Sequence, residues 1–155
     1  KIEYILNVYE KKYYDLWLSM MKNKLHINQN HKEDNELIKE LLDLMHVFKL
    51  DYTNTFINIE NNNIKKHDFM KDWYLKYKDR KKLNEKKEYI KNPNPKFIPR
   101  NHNIEYILNE VESGNLDNLK NMILYLKNPY SENVPEKYRK EPKEEEKVHQ
   151  TFCGT

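Results

Sequence analysis

A chain of 155 residues suffices for one ordinary domain with a real core, and at 34% charged and 37% hydrophobic it is polar without reaching the range of disordered chains. The net charge of +3, from 28 basic against 25 acidic residues, gives no strong field for a nucleic-acid backbone. A single Cys excludes an internal disulfide framework and a Cys-rich zinc site, and no apolar run is long enough to span a membrane.

The first segment reads as a helix, with Ile5, Tyr9, Tyr13, Leu16, Trp17 and Met20 recurring at three- and four-residue spacing to make one apolar face. Residues His26 to Lys32 are polar and turn-like. A second helix comes after them, with Asp34 as its expected N-cap and Leu37, Ile38, Leu41, Leu42, Met45 and Phe48 as its stripe. Asp51 caps a third, whose buried face would hold Tyr52, Thr55, Phe56 and Ile59. The triple Asn61–Asn63 breaks the pattern and reads as a loop. A fourth helix is predicted from about Asp68 to Lys87, packed through Phe69, Trp73, Leu75, Tyr77 and Leu83, with Lys78 to Lys82 as a solvated face.

Pro93, Pro95 and Pro99 preclude a helix through Asn92 to Arg100 and make that stretch extended. A helical hairpin comes next. Ile104, Ile107, Leu108 and Val111 form its first stripe, and Gly114 suits the left-handed position that ends a helix. Asn115 caps the second arm, where Leu116, Leu119, Met122, Ile123 and Leu126 are apolar and Pro129 stops the run. From Tyr130 onward Pro135, Pro142 and three successive Glu residues predict an irregular tail. No segment alternates with period two, so the fold class is all-α, and a count of 2 Gly agrees with helices.

Chemistry is sparse. A phosphate cradle needs clustered Gly so that backbone N–H groups can approach the anion, whereas Gly114 and Gly154 stand far apart. No kinase-type Gly-rich loop, catalytic loop or Asp-Phe-Gly motif is present. His26, His31, His46, His67, His102 and His149 show no metal-binding spacing. Cys153 near His149 could form a thiol–base pair, but a mobile end supplies little preorganisation. A free terminal thiol without a role and a redox thiol that exchanges with a Cys elsewhere both remain open. Lys81 with Tyr74, Tyr77 and Tyr89 could stack bases, but Glu85 and Glu88 interrupt the basic run and the Tyr spacing fits a core face.

Taken in order, several motifs resemble one family. Lys24-Leu25, the run from Asp34 to Phe56, Asn94-Pro95 through Arg100-Asn101, Ser113-Gly114-Asn115-Leu116, Asn128-Pro129-Tyr130 and Cys153-Gly154-Thr155 together are similar to the C-terminal region of selenoprotein O proteins. Pro99 in place of an aliphatic residue, Gly154-Thr155 in place of a Ser pair, and an expanded Asn61–Asn63 loop depart from that pattern. The resemblance implies that residues 1–128 are the helical C-terminal region of a protein-kinase-like fold and residues 129–155 an irregular redox tail.

The same resemblance implies a protein adenylyltransferase that moves AMP from ATP, with magnesium or manganese, onto protein hydroxyls. No nucleotide, metal or catalytic position falls in this chain, and the kinase-like part upstream would be its partner. Cys153 would be the redox residue, paired with a Cys of that part, and a eukaryotic member would be mitochondrial. A first residue of Lys1 agrees with a piece cut from a longer protein. The alternative is a stand-alone helical interaction module without enzymatic activity. Neither nucleic acid nor membrane is expected as a partner.

Overall fold

The computed structural model describes residues 2–27, 29–84 and 92–147, with side chains from Ile5 onward. Seven α-helices and three short 3-10 turns occur among the described residues, and no strand does. They fall into two compact units, residues 1–94 and 95–155.

Unit 1 holds α1 (Ile2–Lys24), α2 (Asp34–Val47), α3 (Tyr52–Glu60) and α4 (Lys71–Lys82), with 3-10 turns at Ile64–Lys66 and Asp68–Met70 leading into α4. Its core gathers Met21, Leu25, Leu37, Ile38, Leu41, Met45, Phe56, Ile59, Met70, Trp73 and Tyr77. Polar ends of the buried rings are satisfied within it. Trp73 Nε1 donates to the Leu37 carbonyl at 2.8 Å, and Tyr77 Oη donates to the Leu25 carbonyl at 3.0 Å. Asp51 caps α3 by accepting from the Asn54 N–H at 2.8 Å, as its position before the apolar run predicts.

Unit 2 holds α5 (Asn101–Glu112), α6 (Asp117–Lys127) and a four-residue helix, α7 (Glu136–Arg139), with a 3-10 turn at Glu144–Glu146. Its core is smaller: Phe97, Ile107, Met122, Val134 and Tyr138, with Tyr125 against them. The helix-free stretch before α5, which opens with Asn92 at φ 56 rather than extended, is anchored where the Lys96 and Phe97 N–H groups both donate to the Pro129 carbonyl, at 2.8 and 3.0 Å. Gly114 takes φ +89 at the end of α5, and the Asn115 N–H reaches back to the Glu110 carbonyl at 2.9 Å, which closes the helix.

Three other helix ends close in the same way without Gly. His26, Lys49 and Asn62 hold φ of 53°, 50° and 57°. The N–H of the residue after each donates to a carbonyl five residues back: Ile27 to Lys22, Leu50 to Met45, Asn63 to Asn58. A side-chain-bearing residue in this region costs about 1 kcal/mol, so packing of the next segment must hold it there.

Several expectations change. The stripe of α1 does not pack inward: Ile5, Tyr9, Tyr13 and Leu16 are exposed, and only Trp17 and Leu18 near its C-terminal end join Met21 and Leu25 against the core. Helix α4 begins at Lys71 rather than near Asp68, because a 3-10 turn precedes it, and it ends at Lys82 with Leu83 as its C-cap rather than near Lys87. Leu75 and Leu83 are exposed while Arg80 is buried, so the supposed solvated face of α4 is partly interior. Phe48 and Tyr52 sit at the surface, as do Leu108, Leu116, Ile123 and Leu126 of the α5–α6 hairpin. The segment beyond Tyr130 contains α7, whose Tyr138 is drawn into the core against Phe97 and Tyr125 at ring separations of 5.9 and 5.4 Å.

Candidate functional site

The strongest charged constellation forms where the connection from α1 to α2 meets α4. Asp34 is not the cap of α2. Glu33 holds that place without a side-chain bond, and the Asp34 carboxylate turns inward. It accepts from Arg80 Nε at 2.6 Å and from the His31 N–H at 2.9 Å, and Lys22 Nζ stands 3.3 Å away. Burial raises its pKa. The hydrogen bonds from Arg80 and the His31 N–H, with the Arg80 and Lys22 charges, more than offset that and hold it below the usual Asp value. Lys22 also donates to Asn30 Oδ1 at 2.6 Å, and Arg80 Nη2 to the Gln29 carbonyl at 2.6 Å.

Neighbouring side chains finish the end of α1. A helix leaves its last carbonyls without partners. Here Asn94 Nδ2 donates to the Lys24 carbonyl at 3.0 Å, Tyr77 to the Leu25 carbonyl, and Asn84 Nδ2 to the His26 carbonyl at 2.9 Å. Asn94 donates as well to Glu60 Oε2 at 3.2 Å. The buried Asn of the Asn94-Pro95 motif is thus a clamp on α1, and Asp34, Lys22 and Arg80 fix the turn beyond it. Asp34, Lys22 and Arg80 satisfy one another, and a carboxylate bonded this way has no proton to exchange near neutral pH. The arrangement positions a helix; it does not perform chemistry.

Open grooves flank α2. One of about 350 Å³ is lined by Glu33, Glu36, Leu37, Glu40, Lys76 and Arg80, and Lys76 Nζ bridges both Glu40 oxygens at 2.8 and 2.9 Å. Another, shallow and largely apolar, runs past Leu42, Met45, Val47, Leu50 and Tyr52. Neither is enclosed as a small-molecule site is. Among the described residues no three His, Cys, Asp or Glu side chains come together to hold a metal. No described helix is long and apolar enough to cross a membrane.

Cys153, the sequence's redox candidate, and His149, the base considered beside it, lie outside the described residues, as do Tyr89, Glu85 and Glu88. Tyr74 and Tyr77 are buried, with Lys78 and Lys81 lying over their rings at 5.9 and 5.6 Å, so those rings stack within the protein. Burial lowers the pKa of Lys81, which the charge of Glu60 partly opposes. His102 is half-buried, and desolvation lowers its pKa against the opposing charge of Glu146. Sequence reasoning missed the role of Arg80, hidden in a run of surface-like charges. The signal available was an Asp at the start of α2 with no obligation to cap.

Comparison with known proteins adds what the geometry lacks. The family described as protein adenylyltransferase SelO matches residues 1–127. A protein nucleotidyltransferase YdiU of Clostridium perfringens (strain SM101 / Type A) is 35% identical over 97% of this chain and 33% of its own length. Relatives of the same name from Bacillus cereus (strain ZK / E33L) and Pelagibacter ubique (strain HTCC1062) are 35% and 38% identical, with the same coverage. The chain therefore spans about a third of the length of the curated relatives it matches. No solved structure matches it.

Proposed function

Because the chain belongs to the protein adenylyltransferase SelO family, we propose that it is the helical C-terminal part of an enzyme that transfers AMP from ATP to protein hydroxyls. The observation that carries this reading is the family match over residues 1–127, together with relatives called nucleotidyltransferases at 35–38% identity. In it, the ATP site, its magnesium or manganese and the catalytic side chains belong to a kinase-like part upstream. The share of the relatives left uncovered, about two thirds, leaves room for such a part.

The physical role of this chain is then architectural. Its clamped α1–α2 turn and the packed core within each unit would hold that part of the enzyme in shape. Cys153 serves as a regulatory thiol that forms a disulfide with a Cys of the kinase-like part, each thiol losing a proton and an electron to a cellular oxidant of the disulfide or peroxide class.

The test is an assay of the full-length protein with radiolabelled ATP, magnesium or manganese, and an acceptor protein. Label from the α-phosphate should enter the protein, and label from the γ-phosphate should not. Transfer of γ-label alone, or of neither, would overturn the assignment. For the tail, Cys153→Ser should abolish any difference in activity between oxidising and reducing buffers; a difference that survives would remove the redox role.

A further inference from the structure

We propose that the outward stripe of α1 is the seam along which this chain docks onto the two thirds of the enzyme that it lacks. The inference rests on the proposed function, in which the chain is one part of a longer protein.

The stripe consists of Ile5, Leu6, Tyr9, Tyr13, Leu16 and Met20, which are 59%, 59%, 68%, 61%, 63% and 43% exposed. At 3.6 residues per turn they share an arc of roughly 100°, the width of a helix face that ordinarily meets a core. Lys11 and Asp15 lie on the other side. Every residue from Ile5 to Leu16 is exposed, so this length of helix stands clear of the core of its own unit.

A helix of that length is marginal in water without tertiary contacts, and its Ile, Val and Tyr residues are not strong helix formers. Its root, by contrast, is held by the bonds from Asn94, Tyr77 and Asn84 to nearby carbonyls. A row of apolar side chains is thereby carried outward on a fixed support. A contiguous exposed row of this kind marks an interaction surface.

The length of the relatives selects the occupant. They align over 97% of this chain and only 33% of themselves, so the uncovered portion is about twice as long as the part that matches. A covalently attached surface meets the stripe at an effective concentration in the millimolar range, which favours it over a second copy.

The experiment places single Cys residues in the full-length protein. Tyr13→Cys and Leu16→Cys test the stripe, and Lys11→Cys and Asp15→Cys test the opposite side. Modification by N-ethylmaleimide is followed peptide by peptide. The stripe positions should react at least ten-fold more slowly than the other two, at a rate unchanged across a hundred-fold dilution. Equal rates would overturn the seam, and so would protection that vanishes on dilution, which would assign the stripe to a second copy. Amide exchange of residues 5–16 in the unsubstituted full-length protein decides the matter if a Cys variant fails to fold: protection supports the seam and rapid exchange overturns it. AMP transfer measured on the same preparations separates the two readings. A protected stripe in a protein without AMP transfer sinks the activity and leaves the seam. A reactive stripe in an active protein sinks the seam alone.

Discussion

Unit 1 and unit 2 are built from similar amphipathic helices, yet they use them differently. Unit 1 assembles a core of fourteen buried residues among those described, rich in Leu, Ile and aromatic side chains, and adds an interior charge cluster. Unit 2 gathers five, and its middle is a group of three rings, Phe97, Tyr125 and Tyr138, at 5.4–5.9 Å. A core drawn from four helices closes on itself. A short hairpin cannot, so it borrows volume from the extended strap at Phe97 and from α7 beyond Pro129. The difference teaches that an apolar stripe states a need for a partner without saying where that partner is.

Substitutions that strike the two units unequally sharpen the contrast. The largest effect is expected from Trp73→Ala, which empties the middle of the unit 1 core and removes the indole bond to the Leu37 carbonyl. A loss of about 3–5 kcal/mol should appear in urea unfolding, with amide exchange accelerating in α2–α4. If α5 and α6 lost protection to the same degree while α2 kept it, the assignment of Trp73 to its own core would be wrong.

Next comes Asp34→Asn, which leaves Arg80 and Lys22 without their buried counter-charge and should cost about 2–3 kcal/mol near neutral pH. The folded protein holds the Asp34 pKa below the unfolded value of about 3.9. Its contribution is therefore complete above that value and is lost as pH falls through the folded pKa. The stability gap between the two proteins should narrow below about pH 4 and be constant from there to neutrality. A gap that widened on acidification would mean that folding raises the Asp34 pKa instead of lowering it.

The smallest effect belongs to unit 2. Tyr138→Phe keeps the ring cluster and removes only the hydroxyl that donates to Asn118 Oδ1 at 3.1 Å, so about 1 kcal/mol should be lost from α5–α7. A cost as large as that of Trp73→Ala would mean that the hydroxyl network, rather than ring packing, organises unit 2.

Apolar periodicity, turn residues and prolines determined much of this protein unaided. They set the all-helical class, the Asp51 cap, the break at Asn61–Asn63, the helix-free strap over 92–100 and the left-handed Gly114, because these depend on a residue and its near neighbours. The ordered motifs were also enough to point to the family that residues 1–127 match. Tertiary structure alone decided that Asp34 pairs with Arg80 across 46 residues rather than capping α2, and that His26, Lys49 and Asn62 take positive φ. It also decided that the stripe of α1 faces outward. The Asp34–Arg80 pair and the outward face of α1 depend on residues far away along the chain, and a local pattern carries the demand for burial or charge balance without the coordinates of whatever satisfies it.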